Sequence, residues 1–179
     1  MVYVFLADGF ETVEALGTVD VLRRAGIETQ TVGVGGKRII SSQKIPVEAD
    51  IEIKDAKTEN LDAIVLPGGI PGTPNLEASE QVQSYIDFCT ENNKYICAIC
   101  AAPSILGHKG LLKGLEATAY PGYEEELTGA VISGKYVAHD RNIITAKGAG
   151  VSLEFGAEIA SVFIGREKAN GILKAMQRK

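Results

Sequence analysis

One cysteine, Cys100, stands where the sequence changes from strand-like to helix-like residues. The preceding run, 95–99, is apolar and suited to a buried strand, whereas 101–106 is small and helix-compatible. The backbone must therefore reverse sharply at or beside Cys100. The first N–H groups of a helix lack intrahelical partners and carry partial positive charge, which favours a thiolate. The pattern predicts a low-pKa, nucleophilic thiol on a turn of the nucleophile-elbow type.

Spacing and residue type bear on other roles for the cysteines. Free cysteine is among the most buried residue types, so a packing role for Cys100 is the alternative. Cys97 and Cys100 do not fit a disulfide, because three strand residues separate their Cα atoms by about 10 Å and a disulfide tolerates about 7 Å. No metal site is expected, since His108 and His139 are the two histidines and no second cysteine pair exists. His108 lies about 12 Å along a helix from Cys100, too far for a general base.

Two further segments carry groups that could meet the thiol. Glu11 and Glu14 lie at the start of the first predicted helix, and the loop 67–74 is rich in Gly and Pro directly after a strand. Ligands of open α/β sheets bind at the carboxyl ends of the strands, where both segments begin. Free N–H groups of such a loop could bind an oxyanion. The alternatives are that carboxylates simply favour a helix start and that the loop is a rigid turn.

Apolar periodicity predicts alternating strands and helices. Strands are predicted over 1–6, 27–34, 62–66, 94–99 and 116–120, with two more short strands within 130–146. Helices are predicted over 13–24, 76–93, 103–109, 121–127, 151–164 and 166–176. Residues 35–53 contain Pro46 and predict a short antiparallel excursion at the sheet margin. The β-α-β opening favours an α/β fold with a parallel sheet.

Composition narrows the function classes. At 179 residues, with 45% hydrophobic and 23% charged residues, the chain is expected to form one domain over 1–179. A net charge of −5 argues against specific nucleic-acid binding, and no apolar run approaches the roughly 18 residues of a membrane span. Three cysteines and no recognisable leader predict a cytoplasmic protein.

Five segments together resemble the ThiJ/PfpI family, and especially its Parkinson-disease protein deglycase branch. These are LADGFETVE at 6–14, VDVLRRAGI at 19–27, VLPGG at 65–69, AICAAP at 98–103 and TAKGAG at 145–150. They follow one another in order over nearly the whole chain. The resemblance implies a flavodoxin-like, three-layer α/β sandwich with a mainly parallel central sheet, of the class I glutamine amidotransferase-like type, and a homodimer.

The resemblance also implies roles for individual residues. Cys100 matches the family's nucleophile, and Glu14 matches the glutamate that hydrogen-bonds the sulfur. Gly69 and Ala101 match the residues whose N–H groups form the oxyanion site.

Three more residues are expected to line the substrate pocket: Gly68, Lys44 and Tyr120. Lys44 occupies a place where relatives have Arg. Tyr120 stands, before Pro121, where several relatives have a histidine, and Ala101 stands where the peptidase-like members have one. A Cys-His pair cannot be assembled from these motifs, so peptidase activity is not expected.

The implied function is a cofactor-free, cysteine-dependent stress-response enzyme that acts on small reactive carbonyls. It would be glyoxalase III-like or a deglycase of methylglyoxal adducts, with a small aldehyde or glycated amine as substrate. The alternative is a redox sensor or chaperone in which Cys100 is oxidised to sulfinic acid without significant turnover.

Overall fold

The computed structural model describes residues 1–178, with eleven strands and six helices. The strands are β1 Val2–Ala7, β2 Thr29–Val34, β3 Arg38–Ile40, β4 Pro46–Glu48, β5 Ile51–Glu52, β6 Ala63–Leu66, β7 Tyr95–Ile99, β8 Glu116–Ala117, β9 Val131–Ile132, β10 Val137–Asp140 and β11 Ile143–Ala146. The helices are α1 Thr12–Arg24, α2 Gly72–Ala78, α3 Glu80–Glu91, α4 Pro103–His108, α5 Ser152–Ile164 and α6 Arg166–Ala175. Single 3₁₀ turns occur at Ile53–Asp55, Glu124–Glu126 and Ala149–Val151.

Seven strands form the central sheet, in the order β10-β11-β7-β6-β1-β2-β5. All neighbours are parallel except β10, which pairs antiparallel with β11. β1 lies near the middle, where Val4 faces Thr31 of β2 on one side and Val65 of β6 on the other. The predicted α/β fold with a mainly parallel sheet is confirmed.

Apolar side chains of the sheet alternate between two cores. Tyr3 and Phe5 of β1 pack towards α2, α3 and α4, and Val2, Val4 and Leu6 pack towards α1 and α5. Because helices cover both faces, β1 is buried along its whole length and reads as a continuous apolar run. The result is the three-layer, flavodoxin-like sandwich that the sequence predicts.

The single helix predicted over 76–93 is wrong: two helices occupy this region. α2 begins earlier, at Gly72 inside the Gly/Pro-rich loop, and α3 begins at Glu80. Ser79 has an extended backbone between them, and its hydroxyl accepts a hydrogen bond from the Val82 N–H at 3.3 Å. Serine favours this N-cap conformation over a helix interior, which divides the segment.

The strand predicted over 116–120 is also too long, since β8 ends at Ala117. The following N–H groups leave the ladder: that of Thr118 donates to Thr145 Oγ1 at 2.9 Å, and that of Tyr120 donates to the Cys100 carbonyl at 2.8 Å. This segment therefore supports the turn after β7 instead of extending a sheet.

Three smaller differences lie in the connecting segments. The antiparallel excursion within 35–53 is present as the β3–β4 hairpin, but β5 then returns to the central sheet in parallel with β2. Residues 130–146 contain three strands, not two, and the helix predicted over 121–127 is a single 3₁₀ turn. Among residues 1–178, no helix is both long and apolar enough to cross a membrane.

A glycine in β2, Gly33, tests how closely the main chain packs beside this strand. A Cβ on Gly33 would lie 2.0 Å from the Gly36 carbonyl oxygen, whereas a Cβ on Gly171 of α6 would meet nothing within 4 Å. We expect Gly33→Ala to lower the free energy of unfolding by about 1–3 kcal/mol, because main chain must move. Urea denaturation measures this, with Gly171→Ala as the matched control that loses no stability. Equal stability of the two variants would contradict the packing.

Candidate active site

Cys100 follows β7 directly, at the carboxyl edge of the sheet, with a φ angle of 65°. A positive φ costs a residue with a side chain on the order of 1–2 kcal/mol. Neighbouring main chain holds this conformation on both sides: the Cys100 N–H donates to the Ala146 carbonyl at 2.9 Å, and the Cys100 carbonyl accepts from the Tyr120 N–H. The predicted sharp turn is therefore present, and it leaves the thiol partly exposed.

Glu14 reaches the same place from the first turn of α1, and its side chain is completely buried. Oε2 accepts a hydrogen bond from the Gly68 N–H at 2.9 Å, and Oε1 has no partner of regular hydrogen-bond geometry among the described residues. Burial raises the pKa of Glu14 to about 7, against the lowering effects of the Cys100 thiol and the Gly68 N–H. A carboxyl group with this pKa can hold or release a proton at neutral pH.

Glu11 has a different place from Glu14. Its carboxylate accepts a hydrogen bond from the Glu14 N–H at 2.7 Å and so caps α1. Its negative charge adds a smaller contribution to the raised pKa of Glu14. The helix-start interpretation therefore fits Glu11, whereas Glu14 is too deeply buried to be explained by it.

The expected low pKa of the Cys100 thiol is wrong. Burial, the charge of Glu14 and the hydrogen bond to Glu14 raise the pKa of Cys100 to about 12. The helix argument fails because α4 begins only at Pro103 and has six residues, whereas the carboxylate is in direct contact with the thiol. The two groups titrate as a pair, which keeps one proton well above pH 7. A thiolate forms in this pair when the proton moves from sulfur to Glu14.

Two backbone N–H groups face the sulfur. Those of Ala101 and Gly69 each lower the pKa of Cys100, although burial and Glu14 outweigh them. They are the same two groups that the resemblance implies for an oxyanion site. Their position lets them stabilise negative charge on the sulfur and, next to it, on an oxygen of a bound carbonyl.

The loop after β6 can approach the site because it has no side chains at two positions. A Cβ on Gly68 would lie 2.6 Å from Cys100 Cβ and 2.8 Å from Glu14 Oε2. Gly69 has a φ of 98°, and a Cβ there would lie 2.4 Å from the Gly9 carbonyl oxygen. The glycines thus bring the chain within hydrogen-bonding distance of Glu14 and the sulfur.

The remaining predicted pocket residues separate into two clefts. Tyr120, whose N–H donates to the Cys100 carbonyl, lines one cleft together with Gly148 and Ala149. Lys44 lines another cleft, with Asp8, Ser41 and Ile70. The structure therefore brings Cys100, Glu14, Gly68, Gly69 and Ala101 together and puts Tyr120 next to them, but it does not bring Lys44 into that group.

The sequence analysis missed the segment after β11 as part of the site. The Ala149 N–H approaches the Glu14 carboxyl and lowers its pKa slightly. Tyr136 and Lys147 line the same cleft as Tyr120. The motif TAKGAG was the available signal, because it follows a strand whose carboxyl end lies beside that of β7.

Both histidines are engaged away from the thiol. His108 contacts Glu77 at 2.6 Å and Glu126 at 2.8 Å, and His139 contacts Glu158 at 2.8 Å. Within residues 1–178, no cluster of three or more His, Cys, Asp or Glu side chains is arranged to hold a metal ion.

Comparison with known sequences matches this chain to one protein family. The pattern that defines the DJ-1/PfpI family matches residues 1–162. Protein DJ-1 homolog B of Arabidopsis thaliana is 38% identical over 95% of this chain, which spans 39% of that relative. Glutathione-independent glyoxalase DJR-1.2 of Caenorhabditis elegans is 29% identical over 93% of this chain and 89% of its own length.

Solved structures agree. The crystal structure of Drosophila melanogaster DJ-1beta is 32% identical and superposes with a TM-score of 0.93 over 99% of this chain and 97% of its own. An oxidized form of Toxoplasma gondii DJ-1 is 30% identical, with a TM-score of 0.94 over 98% of this chain and 97% of its own.

The burial of Glu14 has a measurable effect on stability. Its pKa is raised from 4.5 to about 7, so the folded protein holds the proton more tightly than the unfolded chain does. The free energy of unfolding therefore falls as the pH rises from about 4.5 to 7, by about 3 kcal/mol from this group. Glu14→Gln does not titrate. We expect the variant to gain about that much relative to wild type between about pH 4 and pH 8 in urea denaturation; parallel pH profiles would contradict the assignment.

Proposed function

This chain belongs to the DJ-1/PfpI family, and on that premise we propose that it converts small 2-oxoaldehydes, or their early adducts on amines and thiols, to 2-hydroxy acids without a cofactor. One observation carries the proposal: the partly exposed Cys100 is paired with a buried carboxyl group whose pKa is about 7. A relative that bears the name of a glutathione-independent glyoxalase supports the reaction class.

The first step makes a hemithioacetal. Glu14 takes the thiol proton, and the sulfur lone pair of Cys100 forms a bond to the aldehyde carbon of the substrate. The electrons of the broken C=O π bond go to the carbonyl oxygen, which the N–H groups of Gly69 and Ala101 stabilise. Glu14 then returns the proton to this oxygen. Glu14 ends the step as the carboxylate that it was at the start, and the thiol proton is now on the hydroxyl of the hemithioacetal.

The second step moves a proton along the substrate. The Glu14 carboxylate removes the hydrogen on the former aldehyde carbon, and the electrons of that C–H bond form the C=C bond of an enediolate whose negative charge lies on the oxygen of the neighbouring carbonyl. This oxygen takes the proton of the hemithioacetal hydroxyl, and the former aldehyde carbon becomes a carbonyl as Glu14 returns its proton to the neighbouring carbon. The product is the thioester of a 2-hydroxy acid. Water then breaks the C–S bond and restores the thiol. For methylglyoxal the sum is one water added and one lactate released, with no external oxidant or reductant.

Peptide hydrolysis does not fit this arrangement. The peptidase-like members pair the cysteine with a histidine, and in this chain both histidines contact carboxylates elsewhere. The homodimer, the cytoplasmic location and the single domain over 1–179 stay predictions.

Replacing the nucleophile tests the proposal. We expect Cys100→Ser to lower the rate of lactate formation from methylglyoxal, in the absence of glutathione, by at least about a thousandfold, because the hydroxyl is a far weaker nucleophile next to the same base. Cys89→Ala is the matched control, since Cys89 is a buried core residue of α3. Enzymatic determination of lactate measures both. Unchanged turnover in Cys100→Ser would reject the reaction.

A second candidate function is redox sensing, favoured by the difference in exposure among the cysteines. Cys100 is partly exposed, whereas Cys89 and Cys97 are buried. Two peroxide molecules would each transfer one oxygen to the Cys100 sulfur and leave as water, giving a sulfinate that a protonated Glu14 could hydrogen-bond. Oxidation is also the state named for the Toxoplasma gondii relative.

Mild peroxide treatment distinguishes the cysteines. We expect peptide mass spectrometry to find two added oxygens on Cys100 and none on Cys89 or Cys97, because the core shields the latter pair. Oxidation spread evenly over the three would contradict the sensing role. Selective oxidation of Cys100 together with negligible aldehyde turnover would favour sensing over catalysis.

A further inference from the structure

A cleft of about 360 Å³ opens between residues 120–121 and 147–151. Two rings form its walls: Tyr120 is 51% exposed and Tyr136 is 67% exposed. Lys147 lies at its rim, and Gly148 and Ala149 lie at the end near Glu14. We call it the tyrosine cleft.

Two residues that line the tyrosine cleft, Tyr120 and Gly148, also lie next to the catalytic pair. A Cβ on Gly148 would lie 3.3 Å from Tyr120 Cδ2 and 3.7 Å from Glu14 Oε1, so Gly148 is the spacer between the ring and the carboxyl group. The Tyr120 N–H donates to the carbonyl of Cys100 itself. The end of the cleft formed by Tyr120 and Gly148 is therefore the end that lies towards the catalytic pair.

The charges around the cleft select the kind of group that fits there. The Nζ of Lys147 lies 5.3 Å from the centroid of the Tyr136 ring, in a cation–π contact. The same ammonium group acts on Glu124, whose pKa is lowered by it after the effects of two backbone N–H groups. Because the Tyr136 ring already contacts this charge, the residues that line the cleft favour a phosphate or carboxylate less than their one lysine suggests. Exposed aromatic walls favour a flat, neutral group instead.

We propose that the tyrosine cleft is the subsite for a flat aromatic substituent next to the reacting carbonyl, so that this chain uses aryl-substituted 2-oxoaldehydes better than methylglyoxal. The inference rests on the proposed function and names its substrate class. Tyr136 is the specificity-determining residue, since it lines the cleft and is not among the groups that act on Cys100 or Glu14.

The test compares phenylglyoxal with methylglyoxal in wild type and in Tyr136→Ala. We expect the ratio of kcat/KM for phenylglyoxal to that for methylglyoxal to fall about fivefold to tenfold in the variant, mainly through KM, because one stacking surface is lost. Ile132→Ala is the matched control: it removes another exposed apolar side chain, from β9, outside the cleft. An unchanged ratio in Tyr136→Ala would overturn the subsite.

A binding measurement separates this inference from the proposed reaction. Benzamide is flat, neutral and unreactive towards the thiol, so NMR titration reports on the cleft without turnover. We expect it to shift the amide signals of Gly148 and Ala149 in wild type and to lose this effect in Tyr136→Ala. If neither aldehyde is consumed, the proposed function fails, and the NMR titration alone then decides whether the subsite exists. Shifts at these two amides support the subsite, and their absence overturns it.

Discussion

The arrangement depends on keeping one carboxyl group out of water. Transfer of Glu14 from water to the interior raises its pKa to about 7, and burial of the thiol itself, together with the charge of Glu14, makes Cys100 hard to ionise. The sulfur and the carboxyl group therefore exchange a proton with each other more easily than with solvent. A nucleophile is available only where Glu14 accepts that proton, so reactivity is tied to the geometry of the pair and not to the ambient pH alone.

The sheet supplies that geometry through four adjacent strand ends. β1 leads to the helix that carries Glu14, β6 to Gly68 and Gly69, β7 to Cys100, and β11 to Gly148. Packing on both faces fixes the strands, while the loops beyond them are shaped by glycine. A methyl group at Gly68 would occupy the space between the thiol and the carboxyl group. The rigid layers thus determine where the site lies, and the missing side chains determine how closely its parts approach.

Much of this could be predicted from the sequence, and the errors have physical reasons. Buried strands and amphipathic helices have strong periodic patterns, so the order of elements and the sharp turn at Cys100 were predictable. The thiol pKa was not, because the effect of Glu14 depends on a contact between residues 86 positions apart. Ser79 separates α2 from α3 because its side chain caps the start of α3, and the spacing of apolar residues carries no information about such a cap. Tyr136 gave no signal, since an exposed ring in a loop acquires its place only through folding.

Tyr120 supports the turn with its main chain and the cleft with its side chain. Its N–H holds the Cys100 carbonyl at 2.8 Å, and any residue except proline provides that N–H. The ring, in contrast, makes no hydrogen bond to the thiol or the carboxyl group in the described part of the chain. The side chain at this position can consequently change while the main chain still holds Cys100 in place. Natural variation and directed evolution can therefore reach new ligands here without altering the reactive centre.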